Sequence, residues 1–221
     1  MDPIPTTHEA KGEPTSVREH VLHTGASMLQ NFDPVKHICA HLHAAHTPFD
    51  DPGKAVEAHH YCTILNEDMR QCIVYDGKDK NARLIGIEYL ITRRLYETLD
   101  PEERKLWHSH VFEVKSGLLA LPVPSVVPDS VWEAAETAEM EAVIGMYGKV
   151  YHLWRTDLGH QIPLGAPQLF TSFTSKEQFD FDGFASERDR RLGTDTQVKS
   201  VKRAAIAEPE IHGDADAAWK K

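Results

Sequence analysis

The sequence predicts a single α+β domain with a mostly antiparallel sheet and flanking helices. Three observations carry that prediction. β-rich runs meet through short polar turns, as in AVEAHHYCTIL and RQCIVYD around Asn66-Glu67-Asp68. Helix-start signatures lie between such runs rather than alternating with them one for one. A chain of 221 residues, 41% hydrophobic, suffices for one core with two tails. The expected division is a flexible N-terminal arm over 1–20, a domain over 21–193 and an extended charged tail over 194–221.

In chain order, residues 21–31 predict a short amphipathic helix. Asp33-Pro34 reads as a helix start. Val35, Ile38, Cys39, Leu42 and Ala45 follow at helical spacing, so a helix of about three turns is expected up to Thr47-Pro48. The hairpin comes next, then ARLIGIEYLI as a third strand rich in Ile. Thr92 is placed to cap a short helix, and Asp100-Pro101-Glu102-Glu103 opens another. After LWHSH, the runs VFEV and LLALP read as a hairpin joined at Lys115-Ser116-Gly117. A Pro-rich connector over 122–128 leads to a helix through Ile144. Lys149–Arg155 and QLFTSF read as strands around the irregular IPLGAP loop. Ser175 and Gln178 form a capping-box pattern before a last helix ending near Gly193.

The totals exclude several classes. No run approaches the ~18 consecutive apolar residues of a membrane-spanning helix, so no transmembrane segment is expected. The N-terminus lacks a basic stretch followed by an apolar core, which argues against a secretory signal and for a cytoplasmic protein. A net charge of −10 disfavours nucleic acid and anionic membrane surfaces as partners. Three cysteines, at 39, 62 and 72, form no CxxC pair, so buried reduced thiols are expected. No GxSxG, P-loop or GxGxxG occurs, which sets aside the usual lipase and nucleotide chemistries. Fourteen histidines are the compositional anomaly, and they direct attention to metal chemistry.

His108-Ser-His110 is the sharpest metal candidate, because imidazoles two apart on a strand share a face. Zn or Fe suits His with carboxylate, and Glu113 is near. Its parity is wrong for an unbroken strand, where it would point away; a bulge or a helix end would repair this. His59 and His60 sit in a strand, one ring inward and one outward, and the sequence leaves open which is which. Tyr61 shares a face with His59, and Cys62 with His60. His37, His41, His43 and His46 flank the predicted helical stripe and read as solvated or hydrogen-bonded. Glu88, inside the apolar run IGIEYLI, is a candidate catalytic carboxylate that needs Arg83, Arg93 or a His as partner if buried. Tyr147, Tyr151, His152 and Trp154, with Trp107, are candidates to line a pocket for an apolar ligand.

Four long blocks together resemble one family: EAHHYCTILNEDMRQCIVYDG (57–77), ARLIGIEYLI (82–91), LWHSHVFEVKSG (106–117) and YGKVYHLWRTDLGHQIPLGAPQL (147–169). They are similar to the oil-body-associated proteins, a domain family of unknown function. The resemblance implies a soluble protein at the lipid-droplet surface and no established enzymatic activity. With no long apolar hairpin, droplet contact would be peripheral or through a droplet protein. Two other readings stand beside it: a metal-dependent enzyme with His/Glu-bound Zn or Fe acting on a small apolar substrate, and a small-ligand or lipid-binding module.

Overall fold

The computed structural model describes residues 10–122 and 127–220. Residues 1–9 of the expected N-terminal arm and 123–126 of the Pro-rich connector lie outside these residues. In chain order the elements are α1 (Val17–Leu29), α2 (Asp33–Lys36), β1 (Ala40–Pro48), β2 (Val56–Asn66), β3 (Met69–Tyr75), β4 (Leu84–Thr92), α3 (Arg93–Tyr96), α4 (Pro101–Arg104), β5 (His108–Ser109), α5 (Val111–Ser116), α6 (Asp129–Val143), β6 (Met146–His152), β7 (Gln168–Ser172), α7 (Phe181–Leu192) and α8 (Thr196–Arg203).

The class is α+β as expected, and every strand pairing is antiparallel. The order β4-β3-β2-β1-β7-β6 closes on itself through β4–β6, so six strands form a barrel, and β5 adds to β6. Closure removes the exposed edges of an open sheet and creates an inside. Leu42 and Ala44 of β1 join Cys62, Cys72 and Leu90 in the interior cluster, where Val114 of α5 and Met140 and Val143 of α6 pack on them. Alternate residues point outward: Ala45 packs with Phe181 and Ala185 of α7.

Among the elements that differ from the sequence reading, two matter for the site. The helix expected over 34–45 is one turn at α2, and then the chain becomes β1. Pairing with β2 from Ala40↔Cys62 to His46↔Val56, and with β7 beyond, outweighs the local helical spacing. Conversely VFEV is α5, a helix rather than a strand. His110 stands at its N-cap, and Gly117, at φ 81°, ends it in the left-handed conformation that glycine adopts without strain. The Ser-Gly read as a hairpin turn is therefore a helix terminus.

The stretch expected as an extended tail is built into the body. Arg203 of α8 is buried and donates to the carbonyls of Val114 and Leu119. Trp219 Nε1 donates to the carbonyl of Ser172 in β7. Cys62 and Cys72, directly opposed across β2–β3, form a disulfide, which corrects the expectation of reduced thiols; Cys39 is free and exposed.

Candidate metal centre

Glu88 occupies the middle of β4 and is 2% exposed. Its neighbours in register are Cys72 on β3 and Val150 on β6, so its carboxylate lies in an apolar, closed interior. The partner it requires is not arginine. Arg83 pairs with Asp76, and Arg93 with Glu97. Four buried imidazoles surround Glu88 instead, and they divide between its two oxygens. His60 Nε2 is 2.7 Å and His46 Nε2 3.6 Å from Oε2. His108 Nε2 is 3.1 Å and His110 Nε2 3.7 Å from Oε1. His46 Nε2 and His60 Nε2 are 3.1 Å apart.

Each side chain arrives by a separate local rule. Strand alternation puts His46 and His60 inside from β1 and β2. The short β5 pairs His108 with Gly148 of β6. There glycine is a steric requirement, because a Cβ would meet Glu88 Oε1 and lie 2.6 Å from His108 Nε2. His110 follows at the strand-to-helix break, where its Nδ1–H donates to the Met146 carbonyl at 3.0 Å and leaves Nε2 for the centre. The same break corrects the parity of Glu113. Three residues along a helix, it is buried and lines the same cavity as His110.

A second layer holds these groups. His46 Nδ1 faces His152 Nε2 at 3.0 Å, and the His152 ring stacks on Phe170 at 3.7 Å. Asp216 accepts from the backbone N–H of Ser109 at 2.7 Å and from its hydroxyl at 2.8 Å, so the C-terminal stretch fixes the residue between the two histidines.

Burial drives His46 down to about 4, against the pull of Glu88. Burial also lowers His152, reinforced by His46 and His60. For Glu88, burial acts upward, but His60 and then the other imidazoles outweigh it and hold the carboxyl well below its usual range. Burial opposes charge on His110, but Glu88 and Glu113 raise its pKa to about 9. Burial raises Glu113 above the ordinary carboxylate range.

Hydrogen bonding leaves part of this set unsatisfied. Glu88 Oε1, both nitrogens of His108, His60 Nδ1 and Glu113 Oε1 are buried without a hydrogen-bond partner. His108 and Glu88 are close enough to bond, yet they aim past each other. Two donors each ~2.1 Å from one ion at a tetrahedral angle lie about 3.4 Å apart, and the observed separations straddle that value. His46, His60 and Glu88, and Glu88, His108 and His110, form two sets of three donors that share Glu88, and each fits a divalent metal such as Zn or Fe. Beside them is a cavity of about 10 Å³, lined also by Leu42, Ala44, Leu90, Leu119 and Val143, which is room for about one water-sized molecule.

Not every candidate residue joins the centre. His59 is the outward ring. With His43 it contacts Glu57 Oε1, each at 2.9 Å, and Arg191 of α7 binds the same carboxylate. Tyr61, on its face, stacks on His41, while Cys62 faces inward with His60. The aromatic candidates pack away from the centre, with Tyr147 and Trp107 in one apolar cluster. Tyr147 stacks on Tyr96, Trp107 donates to Glu103, Trp154 donates to the His160 carbonyl, and Tyr151 lies under Lys149. Of that group His152 alone reaches the centre, as a support for His46. His46 was missed because it was assigned to a solvated helix; the alternation in Ala-His-Leu-His-Ala (40–44) was the signal for a strand.

Comparison with known proteins places the chain. Residues 32–207 match the family described as "Protein of unknown function (DUF1264)". The chain is 42% identical over 201 residues to oil body-associated protein 1B of Arabidopsis thaliana, covering 90% of this chain and 80% of that protein. It is 40% identical over 215 residues to oil body-associated protein 1A of Zea mays, covering 96% and 87%. No solved structure gives a significant match. The family model and the relatives agree over most of the length: the chain belongs to the oil body-associated protein family.

Proposed function

We propose that this protein holds a divalent transition metal, Zn or Fe, inside its barrel, beside a cavity with room for a water-sized molecule. The observation that supports this is the convergence of His46, His60, His108 and His110 on Glu88, with Glu88 Oε1, both nitrogens of His108 and His60 Nδ1 left without a hydrogen-bond partner. A His and carboxylate set differs from the cysteine-rich, closed sites that serve only structure. A bound ion supplies Lewis-acid chemistry or, if iron, redox chemistry. The chain's own contributions are separate. Glu88 provides the one anionic donor, Met146 and His152 orient His110 and His46, and Glu113 is a further carboxyl beside the cavity. Leu42, Leu90 and Val143 keep the small cavity apolar.

Elemental analysis of protein purified without a histidine tag tests the reading. Close to one Zn or Fe per chain is expected, and below about 0.1, with no uptake on adding either metal, the reading fails.

A second observation bears on where the protein works. The relatives are named for oil bodies and cover most of this chain. Among the described residues no helix is long and apolar enough to cross a membrane. We therefore propose peripheral association with lipid droplets, reached from the cytoplasm. A tagged chain expressed in oleate-fed cells should ring the droplets; a uniform distribution would count against it.

A further inference from the structure

The first helix leaves its apolar side uncovered. A surface helix ordinarily buries its apolar stripe and exposes its polar face. In α1 no residue is buried. Val17 is 83% exposed, Val21 68%, Leu22 58%, Met28 69% and Leu29 88%. At about 100° per residue these five fall within an arc of roughly 140°. Arg18 shares that arc, on a stem long enough to lie along an apolar surface with its charge at the rim. Glu19, His20, His23, Thr24 and Ser27 occupy the opposite side. The half-buried positions of the helix are His20, Thr24 and Ala26, so two of the three belong to the polar side. Ser16 and Glu19 close a capping box, which stabilises the helix start without help from packing. Phe32 and Val35 continue the exposed apolar character beyond it.

We propose that the apolar face of α1 is the surface by which the chain docks on the phospholipid monolayer of a lipid droplet. This rests on the droplet association proposed above and assigns it to particular residues. The length fits: 13 residues span about 20 Å lying flat, well short of the ~20 residues needed to cross a bilayer. The charge fits as well. The chain carries −10 overall, yet α1 has one Arg and one Glu, so this face escapes the repulsion the remainder would meet at an acidic surface. A neutral monolayer with gaps over its oil core presents apolar area without demanding positive charge.

The test is flotation of the full chain with triolein droplets coated in phosphatidylcholine. Size-exclusion chromatography and metal content are measured on the same samples. The variants are Val21→Asp/Leu29→Asp on the apolar face and Ser27→Ala on the polar face. Wild type and Ser27→Ala should float, and Val21→Asp/Leu29→Asp should lose at least about tenfold of the floated fraction, with unchanged metal content reporting an intact barrel. If wild type and Val21→Asp/Leu29→Asp float equally, the docking assignment is overturned while droplet association stands. If wild type does not float, droplet association itself fails. If the wild type is a dimer that Val21→Asp/Leu29→Asp converts to monomer with flotation unchanged, the face belongs to a second copy of the chain and the proposal is overturned.

Discussion

Two histidine clusters lie back to back across the same pair of strands. Because β1 and β2 alternate, Leu42↔His60 faces the interior and His43↔His59 the exterior. Each cluster has one glutamate at its centre, Glu88 inside and Glu57 outside. The outer one brings its own cation. Arg191 clamps both oxygens of Glu57, at 2.9 and 2.7 Å, while His43 and His59 approach Oε1. That carboxylate is held far below its usual range because its histidine and arginine partners overcome burial, and both of its oxygens are already paired with a guanidinium. The inner carboxylate has only imidazoles around it, with donor atoms left over. Residue types are nearly the same, so composition does not distinguish the clusters. What distinguishes them is whether a guanidinium has already taken the place a metal would occupy.

The most direct way to break that contrast is to remove each glutamate in turn. Glu88→Gln should weaken zinc binding by at least about a hundredfold, since it deletes the anionic donor. Glu57→Gln should change it less than about twofold. Competition against a chromophoric chelator reads both, and equal losses would erase the distinction. Next in size is Gly148→Ala. Its methyl group would intrude on His108 and Glu88, and an affinity loss of about tenfold to a hundredfold is expected. Gly145→Ala, where a Cβ meets nothing within 4 Å, is the control.

The same contrast shows what was legible in the sequence. Alternation announced that His59 and His60 face opposite ways, and the β2–β3 hairpin read correctly; the capping box at Ser175 and Gln178 forms, but on a single 3-10 turn, and Asp180 caps α7. Local patterns failed where distant pairing decides. Val35, Ile38 and Leu42 are spaced like a helix stripe, but β1 is drawn into the sheet by β2 and by β7, more than a hundred residues later. That one substitution of strand for helix moved His46 from solvent into the centre and His43 into the outer cluster. Glu113 shows the reverse case. Its distance from His110 is odd for a strand and natural for a helix, and only the cap at Gly117 tells which applies. Barrel closure through β4–β6 has no local signature, so nothing in the sequence assigned Glu88 its four partners.

A smaller effect tests whether the inner cluster is held from outside. Asp216 sits at φ 59°, a left-handed conformation that Asp and Asn tolerate better than most residues. From there it receives both donors of Ser109. Asp216→Ala would leave those donors buried and unpaired, at about 1–3 kcal/mol, and would loosen the segment carrying His108 and His110. Zinc affinity should fall about tenfold. Asp216→Asn keeps an acceptor and the backbone preference, so it should recover most of the affinity. If Asn behaves like Ala, the carboxylate acts through charge and not through position.

The outer cluster offers the smallest and most specific test, because its contribution should be to stability alone. In Glu57→Gln, His43 and His59 lose a charged acceptor in a buried setting, while Arg191 is exposed enough to be hydrated. A destabilisation of about 1–3 kcal/mol at pH 7 is expected. Its pH dependence has a fixed sign. The folded carboxyl titrates below the ordinary 4.5, so its stabilisation is fully present above that pH and is lost as the pH falls toward the folded value. The gap between wild type and Glu57→Gln in urea denaturation should therefore stay constant from pH 7 to about 5 and narrow below about 4.5. A gap that instead closed when zinc was removed at constant pH would mean that the two clusters are coupled across β1 and β2, and the contrast between them would have to be given up.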